Sequence, residues 1–407
     1  MKKLLFLFCA AAMFCACAMK DSRFDGDVVA PEGGEGYWDE GEGGAGGGEG
    51  NGEGNGQSSA GKVTAAEWRD LDNWLFWSQL MTAPLQDSLG SVDYTVHSAY
   101  WGFYTNNRVA VRVRDAANVP QRDVPVQIKN GDAILYEGRT DNHGETNLFI
   151  GLLQKQENVD ASALTLVVNG AAVDQTVLVT KWGEEPKWNE CTASVTATRD
   201  IDIAFIVDAT GSMIDEIRFL KDDLLDIISK VSTGHADANI RTAALFYRDE
   251  GDDYLTRVSD FSTSISTTSG FISQQSADGG GDYPEAVHTA LATGLQSLSW
   301  REGNSIRLAF MLLDAPPHHE DNVLASLHQT VPQYAKKGIR IIPVAASGVD
   351  KQTEFFLRFT AIATDATYVF ITNDSGIGND HIAATVGDHQ IELLNDLIVR
   401  LVNWYLE

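Results

Sequence analysis

The stretch Ile201-Asp-Ile-Ala-Phe-Ile-Val-Asp-Ala-Thr-Gly-Ser-Met213 decides the fold of this chain. Ile201 to Val207 is an apolar run rich in β-branched residues, the pattern of a strand buried in a parallel sheet. It ends on a carboxylate, Asp208, followed by two hydroxyls at alternate positions, Thr210 and Ser212. A helical pattern then begins, with apolar positions at Ile214, Ile217, Leu220, Leu224, Leu225 and Ile228. Oxygen donors on a tight loop at the carboxyl end of a central strand suit a hard divalent cation.

Working outward, strand and helix patterns alternate to the end of the chain. Strands are expected at Ile240–Tyr247, Ile306–Leu313, Ile339–Ala345 and Thr367–Ile371, with a short antiparallel edge strand at Tyr254–Phe261. Helices are expected at Met213–Val231, Pro284–Leu298, Asp321–Lys337 (interrupted by Pro332), Thr353–Ala363 and Ile391–Tyr405. This alternation predicts a doubly wound, Rossmann-like α/β domain over residues 198–407, with a mostly parallel sheet covered by helices on both faces. Two further loops then fall at the same sheet edge as Asp208. One is Asp278-Gly-Gly-Gly-Asp282-Tyr-Pro-Glu285; the other is Leu313-Asp314-Ala-Pro-Pro-His318. Asp and Ser also cap helices for hydrogen-bonding reasons alone, but three such loops at one edge argue for a shared site. Arg248-Asp249-Glu250-Gly-Asp252-Asp253 follows a strand and reads as a solvated loop on the rim. His318 and His319 read as loop residues, because a hard cation prefers oxygen.

The three loops, in this order, resemble the metal-ion-dependent adhesion site of the von Willebrand factor A family, in its Asp-x-Thr-x-Ser form. The resemblance covers about 200 residues of the 407. It implies direct hydroxyl ligands at Thr210 and Ser212, with Asp208 and Asp314 acting mainly through water. The second loop commonly supplies a Thr ligand in this family; the matching position here is Asp282. The implied cofactor is Mg2+, or another divalent cation such as Mn2+ or Ca2+. The implied partner is a protein that offers an acidic side chain to the metal. A third aspartate would leave the site formally at −1, weakening that grip on a carboxylate.

The rest of the chain divides by composition. Residues 1–17 read as an export signal: Met1-Lys2-Lys3 precedes an apolar run from Leu4 to Ala18, too short to span a bilayer. Phe14-Cys15-Ala16-Cys17 resembles a bacterial lipobox, which makes Cys17 the expected lipidation site and the membrane a partner through that anchor. Cleavage after Ala16-Cys17-Ala18 by ordinary signal peptidase is the alternative. Ala18-Met-Lys-Asp-Ser22 resembles the surface-export signal of Bacteroidetes lipoproteins, so the expectation is an outer-membrane lipoprotein of the cell envelope, exposed at the surface. Residues 18–61 are rich in Gly and Glu; nine acids and no Lys or Arg lie between Asp25 and Gly61. Such a segment buries too little apolar surface to fold by itself and reads as a linker. A formal net charge of −27 argues against a nucleic-acid partner.

Residues 62–98 read as a short aromatic-rich helical segment, opening on the capping-box spacing of Thr64-Ala-Ala-Glu67. Trp74 and Trp77 suit packing against the next domain better than sugar binding. Residues 99–182 read as a β-sandwich: Arg108-Val-Ala-Val-Arg-Val-Arg114 alternates with period two, and turn chemistry at Asn130-Gly131, Thr140-Asp-Asn-His-Gly144 and Asn169-Gly170 separates further strands. This region resembles carboxypeptidase-regulatory and bacterial Ig-like domains, in which the Thr-Asp-x-x-Gly element is a structural turn. His143 has no ligand-spaced partner. Beyond the signal the only cysteine is Cys191, in a hydrophilic stretch between domains, so no internal disulfide is available.

The sequence therefore predicts a multidomain protein, a β-sandwich followed by the α/β domain, that binds a partner through a cation and is not an enzyme. Two other functions stay open. One is an envelope component whose metal only stabilises the fold. The other is a Mg2+-dependent phosphohydrolase with Asp208 as nucleophile, since Asp208-Ala-Thr-Gly-Ser also resembles the Asp-x-Thr-Gly-Thr phosphorylation loop. Against the enzyme, Thr210 stands where such hydrolases carry a second acid, and no catalytic Lys is evident.

Overall fold

An eight-stranded sheet organises the computed structural model, which describes residues 61–87, 90–196, 198–235, 237–376, 381 and 383–407. The expected signal at 1–17 with Cys17, and the linker up to residue 60, lie outside the described residues. Residues 61–407 fall within one compact unit. Among the described residues no helix is long and apolar enough to cross a membrane.

The sheet runs in the order Thr256–Ser262, Asn239–Tyr247, Asp200–Asp208, Ser305–Leu313, Ile339–Ala345, Tyr368–Ile371, Thr64–Trp68, Glu392–Leu393. The five strands from Asn239–Tyr247 to Tyr368–Ile371 are parallel, and Thr256–Ser262 closes one side antiparallel, as expected. The Asp200–Asp208 strand lies between Asn239–Tyr247 and Ser305–Leu313, so its carboxyl end is flanked on both sides. Alternate residues enter two cores. Ile201, Ile203, Phe205 and Val207 pack with the Ile214–Gly234 and Leu394–Leu406 helices. Ala204 and Ile206 join the opposite core, with residues of the Val287–Ser297, Asp321–Lys337 and Lys351–Ala363 helices.

Several expectations need correction. Thr64–Trp68 is a strand, not the start of a helix: Ala65 pairs with Ile371 and Glu392, and Trp68 with Tyr368. Ala65 and Ala66 are fully buried in the sheet, and that burial outweighs the local capping-box spacing. The helix Trp74–Leu80 follows, and a second, Tyr94–Trp101, ends on Gly102 in the left-handed region. Pro332 does not interrupt Asp321–Lys337, which runs through it. Ile265–Ser273 is a further helix that the sequence reading missed.

Residues 107–192 supply two four-stranded sheets. In one, Asn107–Arg114 pairs with Thr180–Lys181, Glu145–Phe149 and Trp188–Thr192. The other runs Ala133–Arg139, Pro125–Asn130, Leu164–Val168, Ala171–Ala172. Trp188–Thr192 carries Cys191 into a strand, where burial pushes its thiol up to about 11. The Thr140–Gly144 element is a turn: Asp141 Oδ1 accepts from the His143 and Glu145 amides at 2.9 Å each. Gly144 sits at φ +73°, where a side chain would strike the Val113 carbonyl.

The core of these two sheets is continuous with one core of the large sheet. Trp77 is fully buried and stacks on Phe355 at 5.8 Å, and Trp74 is equally enclosed, so both tryptophans serve packing. Polar contacts reinforce the join. Arg307 donates to both oxygens of Asp123 (3.0 and 3.2 Å), and Arg139 donates to the same carboxylate. Asp365 accepts from Thr146, Asn147 and Arg340. Arg358 donates to both oxygens of Asp70, a pair wholly excluded from water.

Candidate metal centre

The Asp208 loop forms because its side chains satisfy the backbone that leaves the strand. Asp208 Oδ1 accepts from the Thr210 amide at 2.9 Å and the Thr210 hydroxyl at 2.7 Å. The Ser212 hydroxyl lies 3.2 Å from that of Thr210. The glycine loop closes over it: the Gly211 amide donates to Gly279 O, and the Asp278 amide donates to Ala209 O. Gly280 is left-handed at φ +72°, and a Cβ there would press on Glu285 Oε1 at 3.1 Å and Thr210 Cβ at 3.3 Å. Only glycine allows this approach.

The structure brings Asp208, Thr210, Ser212 and Asp314 to one edge, together with Glu285. Asp282 is exposed. Its charge acts on His318, whereas the charges felt by Glu285 are those of Asp208, Asp249 and Asp314. The reason lies in the third loop. Glu285 donates its amide to Pro316 O and forms an isolated parallel bridge with Pro317, which turns its side chain inward. The acid of the second loop that faces the site is therefore Glu285 in place of Asp282. The helix accordingly starts at Val287, not at Pro284.

The loop after Tyr247 is solvated at Glu250, Gly251 and Asp253, as expected, but not at its first two residues. Arg248 and Asp249 are 5% and 6% exposed. Asp249 Oδ1 lies 2.7 Å from His318 Nε2, an ion pair that raises the imidazole's proton affinity against the effect of its burial. Asp252 Oδ2 accepts from the Asp249 and Gly280 amides, tying this loop to the glycine loop.

Electrostatics set the cluster apart. Burial pushes Asp208 up to about 6; its bonds from Thr210 oppose the rise and the charge of Asp249 adds to it. Burial, then the charges of Asp208 and Glu216, push Asp314 up to about 7. Burial, then Asp208, Asp249 and Asp314, push Glu285 up to about 9. Asp208 Oδ2, Asp314 Oδ1 and Glu285 Oε2 are buried with no hydrogen-bond partner among the described residues. A buried carboxylate oxygen without a donor calls for a proton or a cation. Oxygen-only donors with two neutral hydroxyls fit Mg2+, Mn2+ or Ca2+. Among the described residues no three His, Cys, Asp or Glu side chains are placed to hold a metal by themselves; this donor set depends on Thr210 and Ser212.

No family model matches the chain. It is 35% identical over 122 residues to an ariadne-like RING finger protein of Acanthamoeba polyphaga mimivirus, covering 30% of this chain and 12% of that protein. It is 34% identical over 127 residues to the alpha-protein kinase vwkA of Dictyostelium discoideum, covering 31% of this chain and 20% of the kinase. The chain thus spans a fifth or less of the length of these curated relatives. Among solved structures, BatB from Bacteroides thetaiotaomicron, a conserved hypothetical protein, aligns with a TM-score of 0.36 at 13% identity. That alignment covers 50% of this chain and 98% of BatB.

Proposed function

We propose that this protein is a binding module: a von Willebrand factor A domain, mounted on a β-sandwich, that docks a protein partner through a divalent cation. The observation that carries the reading is the convergence of three buried, donorless carboxyl oxygens with two hydroxyls at the carboxyl edge of the central strands. Asp208, Thr210, Ser212, Asp314 and Glu285 hold the cation. The partner completes its shell with an oxygen ligand, an acidic side chain by resemblance to the family. Exposed Ile214 and Tyr283, beside Ser212 and Asp282 in sequence, supply apolar contact around it. Export by the 1–17 signal, lipidation at Cys17 and an outer-membrane, surface-facing location belong to the same proposal, supported by the lipobox-like residues.

Calorimetric titration of the protein with Mn2+ tests the site. One equivalent should bind to the native chain and none to Asp208→Ala. Equal binding by both would sink the proposal. A purified partner, once found, should be released by EDTA; a partner retained at full strength in EDTA would leave the cation only a structural role.

A further inference from the structure

Close enough to Asp314 for its charge to be felt there, Glu216 pairs with His381, two buried side chains that the site above does not use. Glu216, on the Ile214–Gly234 helix, is 1% exposed. Its Oε1 accepts from the Ser347 amide at 2.8 Å and lies 3.7 Å from His381 Nε2. Neither Glu216 Oε2 nor His381 Nε2 has a hydrogen-bond partner among the described residues. The tautomer of His381 follows from its other neighbours. Asn373 Oδ1 accepts the His381 backbone amide at 2.9 Å, which fixes that amide atom as oxygen. The same oxygen lies 2.8 Å from His381 Nδ1, so Nδ1 must carry the proton and donate. In the neutral ring Nε2 then presents its lone pair to a carboxylate oxygen. Nε2 and Glu216 Oε1 lie 3.7 Å apart, an ion pair when the ring is protonated and two facing acceptors when it is neutral, and Glu216 Oε2 beside them has no partner among the described residues.

We infer that Glu216 and His381 hold a borderline divalent cation of the zinc type, with water completing its shell. Ligand bonds of about 2.1 Å to both atoms would span 3.7 Å at an angle near 120°, within the reach of a distorted tetrahedron. An imidazole nitrogen paired with a carboxylate selects zinc-like ions over Mg2+. An imidazole whose other nitrogen donates to a fixed acceptor is the usual arrangement of a metal-bound histidine. Asp314 is near enough to feel the charge of Glu216, so the two cation positions are electrostatic neighbours.

The test is equilibrium dialysis of the full chain against Zn2+ in a large excess of Mg2+. The native protein should retain one equivalent of zinc more than His381→Gln or Glu216→Gln, while Asp208→Ala retains as much as the native chain. Asn373→Ala should weaken zinc by roughly 10–100-fold, because it releases the tautomer. Zinc unaffected by His381→Gln and Glu216→Gln overturns the inference. Zinc lost on Asp208→Ala alone also overturns it, by placing the ion in the first site. A measurement needing no variant is proton NMR of the cobalt-loaded native protein. A strongly shifted imidazole N–H resonance, held by Asn373, is expected, and its absence refutes the site.

Discussion

Asp123, Asp202 and Asp365, grouped around the amino ends of the central strands, are as buried as Asp208, Asp314 and Glu285 at the carboxyl ends. The first three meet arginines. Asp123 binds Arg307 and Arg139, Asp202 binds Arg241 and Arg301, and Asp365 binds Arg340. The donated bonds of Arg139 and Arg307 hold Asp123 below its ordinary range in spite of burial. The second three meet one another, and all three are raised. Burial is equal, so the difference is the counter-charge. One end of the sheet has its positive charge built in as arginines; at the other, the three carboxyl groups raise one another.

The largest effect should come from breaking the compensated end. Asp123→Ala leaves buried Arg307 without its carboxylate and should cost about 3–5 kcal/mol in denaturant unfolding. A loss under 1 kcal/mol would show that the pair is incidental. At the other end the same kind of change should behave oppositely. Asp208→Asn should not destabilise the protein in EDTA, because it removes a like charge, but it should abolish the rise in melting temperature on adding Mg2+. That rise corresponds to about 2.7 kcal/mol at a cation concentration 100 times Kd.

The pH response sharpens the contrast further. Asp208, Asp314 and Glu285 have folded-state values of about 6, 7 and 9, above the unfolded range near 4. Their contribution to stability is therefore fully present below about pH 4 and is lost as pH rises through the folded values. In EDTA the melting temperature should fall between pH 5 and pH 8, whereas saturating Mg2+ should flatten the fall, since a cation binds the deprotonated groups. A fall of the same size with and without Mg2+ would show that no cation takes up the deprotonated carboxylates. The smallest effect should be at Asp282. Asp282→Asn should leave Mn2+ affinity within about threefold of native, while Glu285→Gln should weaken it by about tenfold or more, about 1.4 kcal/mol. Reversed ranks would return Asp282 to the site.

The strand at Ile201–Val207 and the three loops were legible because each is local: an apolar run, then a turn with its own hydrogen-bonding side chains. Thr64–Trp68 was not, because Thr64 and Glu67 satisfy a helix rule while the partners that make it a strand lie some 300 residues away. Glu285 and Asp282 sit in the same loop, and the one that bridges to Pro317, 32 residues on, is the one that is buried. Glu216 lies in the first turn of the Ile214–Gly234 helix, and its contacts, Ser347 and His381, come from two other loops. The failures share a cause: each residue's role is set by a contact far away in sequence.

The strand that sequence misread also fixes how tension would enter the molecule. Gly61 donates its amide to Asp223, and three residues later the chain becomes Thr64–Trp68, hydrogen-bonded antiparallel on both sides. A pull applied upstream of Gly61 runs along that strand, so its ladders to Tyr368–Ile371 and Glu392–Leu393 are loaded together in shear rather than unzipped one bond at a time. That resisting strand lies at the opposite side of the sheet from the Thr256–Ser262 edge.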